Sequence, residues 1–177
     1  MKKSVFVLLL FLSTFKFCEA QTTWINKEVG IGLYVQFPTE PTYKTQDKSG
    51  IYTSKTTNCI FMVVVTYDAI PRYADFLKLS SKNQNQIIDV YLDGVIKGKL
   101  RYTNNPESPG RTIKIGKYDG REISYSAINP ITGEIGKRFS KILLINNKIY
   151  SFECWYLTDL YSSENEKDLF FNSITAS

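Results

Sequence analysis

Residues 97–148 hold the densest run of side chains able to do chemistry. Eleven are basic: Lys97, Lys99, Arg101, Arg111, Lys114, Lys117, Arg121, Lys137, Arg138, Lys141 and Lys148. Four are acidic: Glu107, Asp119, Glu122 and Glu134. Gathered on one face, such a surplus would attract an anionic partner such as acidic lipid, anionic glycan or an acidic protein. The candidates for that basic face are Lys114, Lys117, Arg121, Lys137 and Lys141. The competing expectation is a set of solvated strand edges and turns, where lysines also discourage edge-to-edge association. Strand alternation divides the set, since Lys137 and Lys141 fall on one side of a strand and Arg138 on the other.

Catalytic chemistry has few footholds. The chain contains no histidine, which removes histidine-based triads, general bases and metal ligands. Gly120-Arg121-Glu122 places a cation beside a carboxylate, yet adjacent strand residues point to opposite faces. An enzyme would have to run on carboxylates such as Asp119, Glu122 or Glu134, and their spacing pairs none of them. Gly30 and Gly32 in "VGIGLYV" imitate the start of a dinucleotide loop, but Val35 stands where the third glycine belongs and the segment reads as strand. No cofactor, no metal site and no catalytic residue is expected.

The cysteines depend on where the chain goes. Lys2 and Lys3 precede the apolar "VFVLLLFL", and Cys18 and Ala20 sit at the −3 and −1 positions of a cut before Gln21, the pattern of a secretory signal peptide over residues 1–20. Lipidation of Cys18 is disfavoured because charged Lys16 and bulky Phe17 precede it. The expectation is a secreted or periplasmic protein whose residues 21–177 form one domain. It would bury about two-thirds of its unfolded surface and carry no transmembrane segment. Removing three Lys and one Glu with the leader leaves 19 basic and 16 acidic side chains. That balance is too mild for a dedicated nucleic-acid binder. Cys59 and Cys154 then remain, either as buried thiols or as a disulfide favoured by an oxidising compartment. A bridge would close a loop worth about 4 kcal/mol in the chain-entropy model.

The elements that must position these residues follow from periodicity. "GIGLYVQFP", "IYTSKTT" and "CIFMVVVTYD" read as strands, and the last is apolar on both faces, as a central strand would be. Residues 40–50 read as a polar connection. A long helix follows, with "SKNQ" as a capping box led by Ser81 and Gln84. Ile87, Ile88, Tyr91, Leu92, Val95 and Ile96 form its apolar stripe, and Gly98 is its stop. Four or five antiparallel strands come next, turning at Asp119-Gly120 and Asn146-Asn147. A short helix capped by Ser163 and Glu166 closes the chain. The expected class is α+β: an antiparallel sheet of about 6–8 strands, with the long helix after the third strand.

That order, with "YVQFPTEP", "FMVVVTYDAIP", "IIDVYLDGVIKGKL", "IKIGKYDGREISY", "NKIYSFEC" and "LFFNSI" in sequence, resembles the PsbP-like family over residues 30–174. The family includes an extrinsic photosystem subunit, Ran-release factors and many small secreted bacterial proteins of unknown role. The resemblance implies an α/β/α sandwich serving as a binding or assembly module; the histidines that bind metal in some photosynthetic members have no counterpart here. The functional expectation is a non-catalytic secreted or periplasmic module whose partner is a protein or an anionic envelope component. The alternatives are a carboxylate-based enzyme, or an envelope structural or chaperone-like accessory exposing an apolar groove.

Overall fold

A two-residue turn at Asn146-Asn147, with φ of 47° and 61°, joins strands β8 (Ile135–Ile145) and β9 (Lys148–Tyr156). Asparagine tolerates this left-handed backbone, and the tight turn pins Ile145 opposite Lys148. The computed structural model describes residues 23–101, 103, 108–128, 133–158 and 161–177. The expected signal peptide lies outside the described residues.

The remaining strands are β1 (Ile25–Gly30), β2 (Leu33–Phe37), β3 (Thr42–Gln46), β4 (Ser49–Lys55), β5 (Cys59–Thr66), β6 (Ser108–Ile115), β7 (Tyr118–Ile128) and β10 (Thr175–Ala176). The helices are α1 (Tyr73–Phe76), α2 (Ser81–Leu100) and α3 (Tyr161–Asn172). The class is α+β with antiparallel sheets. A seven-stranded sheet runs β3-β4-β5-β9-β8-β7-β6, and a three-stranded one runs β1-β2-β10.

The large sheet is covered differently on its two sides. Period-two alternation sends Cys59, Phe61, Val63 and Val65 of β5, with Tyr150, Phe152 and Cys154 of β9, into a core shared with the small sheet and with Phe170 and Phe171 of α3. Ile142 and Leu144 of β8 and Ile149 of β9 point the other way, against Leu92 of α2. Strand β5 is apolar on both faces: Cys59, Phe61, Val63 and Val65 are fully buried, while on the other face Ile60 is buried and Met62 and Val64 are half-buried.

Several sequence expectations are corrected. The long helix follows five strands rather than three, because β1 and β3 escape pattern reading. Residues 42–46 are exposed at every position, so the edge strand β3 shows no hydrophobic alternation, and the "polar connection" over 40–50 is in fact a hairpin turning at Asp47-Lys48. The N-cap of α2 is Ser80, whose hydroxyl accepts from the Asn83 amide at 3.4 Å, not Ser81. Gln84 donates back to the carbonyls of Leu77 and Leu79 instead of closing a capping box. Gly98 lies inside the helix, which runs on to Leu100. In α3, Ser163 donates to the Thr158 carbonyl and Glu166 accepts from Thr56 and Asn58, so those two form no capping box either.

The hairpin before β7 turns at Gly116-Lys117, with Ile115 opposite Tyr118, not at Asp119-Gly120. Gly116 has φ of +58°, which glycine adopts without a Cβ penalty. Gly120 is glycine for another reason: a Cβ there would lie 2.5 Å from the Ile142 carbonyl oxygen and 2.6 Å from the Leu143 side chain.

Candidate functional site

The corrected hairpin fixes what lies side by side. A turn at 116–117 sets Arg111 opposite Glu122 on β7, and the next pairing sets Glu122 opposite Lys141 on β8. Directly opposed residues of antiparallel strands share a face and touch, so a cation–carboxylate–cation row crosses three strands. Arg111 holds Oε2 of Glu122, and Lys141 Nζ lies 4.0 Å from Oε1. One step along, Ser124 opposes Phe139. Lys167 reaches in from α3, with its ammonium 4.8 Å from the centre of the Phe139 ring. The result is a groove of about 260 Å³ lined by Arg111, Glu122, Ile123, Ser124, Phe139 and Lys167.

The two lysines differ in electrostatics. Burial pulls the Lys141 ammonium below the usual lysine range; Glu122 opposes this, while the positive charges of Arg111 and Lys167 reinforce it. Burial also pulls on Lys167, but hydrogen bonds and charge from Glu164 and Asp168 outweigh it, and its pKa ends above the usual value. Lys167 is satisfied. Lys141 is packed 5.2 Å from the centre of the Phe171 ring and shares its carboxylate with Arg111.

The five residues expected to make one basic face do not share one. Lys114 pairs with Asp119 on β7, in the same parity as Arg121, on the side covered by α2. Lys117 is in the turn, against the Tyr118 ring. Lys137 and Lys141 are on the opposite side with α3. Arg121 is 9% exposed and donates to Asp89 at 2.7 Å and Asp93 at 3.0 Å, which ties the sheet to α2. None of the five candidates lines the groove; Lys141 lies next to it, 4.0 Å from the lining residue Glu122, and the groove's own Arg111 comes from the longer basic run. Lys167 was missed because its place depends on how α3 crosses the sheet, which no spacing encodes. Placing the turn at 119–120 would have paired Arg111 with Ile128 and hidden the row.

Two further surfaces stand out. A cleft of about 480 Å³ at the start of α2 is lined by Asn85, Asp89, Thr112, Lys117, Asp119 and Arg121, among others. Leu79, Ile87, Val90 and Tyr91 line an apolar depression of about 510 Å³ on the outer side of α2. The carboxylates named for an enzyme are dispersed: Asp119 and Glu122 have opposite parity on β7, and Glu134 precedes β8, about 23 Å along the strand from Lys141 at 3.3 Å per residue. Among the described residues, no group of three or more Cys, Asp or Glu side chains could hold a metal ion. No described helix is long and apolar enough to cross a membrane.

No family model matches the chain, and no curated protein matches it. Among solved structures, it is similar to a Bacteroides thetaiotaomicron protein at 10% identity and a TM-score of 0.45, over 82% of this chain. This chain spans 45% of that protein's length. A second similar structure is PA94, a Pseudomonas aeruginosa protein of unknown function. It has 10% identity and a TM-score of 0.42, covering 82% of this chain and 91% of the other.

Proposed function

We propose that this protein is a non-catalytic binding or assembly module, secreted or periplasmic and PsbP-like in its α/β/α layering, that grips an acidic group of its partner in the groove between β6–β8 and α3. The basic residue expected to matter most is Lys141. One observation carries the reading: Lys141 is a half-buried ammonium 4.0 Å from a carboxylate oxygen of Glu122, whose other oxygen is bound by Arg111. The row holds two cations against one carboxylate beside the groove, while Lys167 on the groove wall is matched by Glu164 and Asp168. An anion drawn to the row meets a partly desolvated surface, where it interacts more strongly than in bulk water. Ser124 adds a hydroxyl donor. The long helix on one side of the sheet and the C-terminal helix on the other support the PsbP-like reading, and the leader sequence supports export.

The partner is an acidic protein or an anionic envelope component, and the groove contacts one carboxylate or phosphate of it. The test uses inorganic phosphate and acetate as probes, titrated into the purified protein at low salt and followed by amide NMR shifts. Shifts should concentrate at residues 122–124 and 139–141 and fade at high salt. K141M and R111A should each weaken binding about tenfold, the loss of one charge-assisted contact, and E122Q should strengthen it by removing the competing anion. A response scattered over the basic residues of both faces, or one unaltered by K141M, would remove the groove from consideration. A pull-down from envelope extract at low and high salt then tests whether a partner of this kind exists.

A further inference from the structure

Cys59 and Cys154 lie on neighbouring strands and point into the same core. Their register is diagonal: Cys59 opposes Tyr156, and Cys154 opposes Phe61. Both are free thiols with no solvent exposure, and they are close enough that Cys59 adds to the upward shift of the Cys154 thiol pKa, after burial. A flat diagonal separates such residues by about 7–8 Å, and a bridge closes without backbone movement only below about 7 Å between Cα atoms. A bond therefore needs a shift of up to about an ångström, by the difference of those limits.

Cys59 is where that shift is available. It is the first residue of β5, beside the turn of residues 56–58, in which Thr57 is exposed. The turn is fastened to α3. Thr56 Oγ1 donates to Glu166 Oε2 at 2.6 Å, and Asn58 Nδ2 to Glu166 Oε1 at 2.8 Å. The Cys59 thiol donates to the Ser163 carbonyl at 3.7 Å. Cys154, in the middle of β9 and paired on both sides, cannot move.

We infer that Cys59 and Cys154 form a redox-responsive staple, open as two thiols in the structure described, whose closure moves the 56–58 turn and loosens the first turn of α3. The oxidant is a small or protein disulfide. The Cys59 thiolate attacks one of its sulfurs, forming a mixed disulfide and releasing one thiolate. The Cys154 thiolate then attacks Cys59 Sγ, closing the bridge and releasing the second thiolate. Two protein thiols are oxidised and one external disulfide is reduced to two thiols. The Cys59 sulfur can no longer donate to Ser163, so the α3 contact that closes the reduced state is given up. Burial, foremost, raises the Cys154 thiol pKa, and the Cys59 contact adds to it. Exchange therefore proceeds through local opening of the turn and α3, and is slow in the closed protein.

The test incubates the purified protein with oxidised glutathione, with and without mild urea, followed by alkylation under denaturing conditions and intact-mass measurement. The expected product has lost two hydrogens, resists alkylation at both cysteines and is restored by dithiothreitol; urea speeds its formation. C154A should stop at a glutathione adduct on Cys59. Hydrogen exchange at the amides of residues 163–167 should be faster in the oxidised than in the reduced wild type. Two alkylatable thiols persisting even in urea, or only glutathione adducts or intermolecular dimers in the wild type, would overturn the staple. A bridge that leaves exchange at 163–167 unchanged would overturn its coupling to α3. The wild-type measurements decide the question even where C154A folds poorly.

Discussion

At the scale of single residues, charge alone misleads and burial corrects it. Lys99 belongs by sequence to the basic run, yet its ammonium binds Glu153, which is 2% exposed. The same oxygen, Oε1, accepts from the buried hydroxyl of Ser140 at 2.9 Å. Breaking such a pair from one side leaves a buried charge uncompensated. K99M should therefore destabilise the protein by about 3–5 kcal/mol, whereas K99M with E153L should recover most of that loss; urea denaturation of the three variants measures both. Arg121 and Arg111 make a second contrast. R121M should lower stability by about 1–2 kcal/mol, because two charge-assisted hydrogen bonds to half-exposed aspartates are lost. R111A removes a side chain that is 72% exposed and should leave the urea midpoint within error while weakening anion binding. Alternation in the sequence already separated Arg121 from Glu122. That Arg121 ends under α2 was not legible, because it depends on Asp89 and Asp93 arriving from an element about thirty residues earlier.

At the scale of elements, what was legible is what is buried on a regular period. The apolar run of β5, the stripe of α2 and the Asn146-Asn147 hairpin all appear where periodicity and turn chemistry place them. Strands β1 and β3 did not: β3 is exposed at every position and carries no alternation to read, and β1 buries only Val29 fully, too little to show a period. Asp119-Gly120 shows the same limit for turns. The dipeptide has the composition of a hairpin turn, but its glycine answers to the neighbouring strand, whose Ile142 carbonyl oxygen would lie 2.5 Å from any Cβ placed there. G120A should therefore force β7 from β8, costing about 1–3 kcal/mol as overpacking does. G116A meets both a left-handed φ and the Ala176 carbonyl oxygen at 2.3 Å from a built Cβ, so it should also detach β10. The separating measurement is hydrogen exchange at residues 175–177, where Ser177 donates its amide to Gly32 at 3.0 Å. That amide should lose protection in G116A and keep it in G120A.

At the scale of the whole molecule, a chain with twelve tyrosines and no histidine has its pH response moved to the alkaline side. Tyr125 is pushed up to about 12 by burial and by the negative charge of Glu153. Tyr67 is pushed up to about 12 by its hydrogen bond with Tyr43, with burial adding to it. Burial raises Tyr52 and Tyr150 in the same direction. In the unfolded chain these phenols ionise near pH 10. Between about 10 and 12 the unfolded state therefore binds fewer protons than the folded one, and stability must fall as pH rises through that window. Below it the contribution is constant and fully present. With no histidine to titrate, the melting temperature should stay level from about pH 6 to 9. It should then decline steeply above pH 10, with tyrosinate absorbance at 295 nm rising late and together with unfolding. Y125F removes one of the phenols held protonated in the core, so its alkaline decline should be shallower than the wild type's while the neutral plateau shifts only slightly. A wild-type titration in which every tyrosine ionises near pH 10 with the fold intact would show that the buried phenols contribute nothing to this limit.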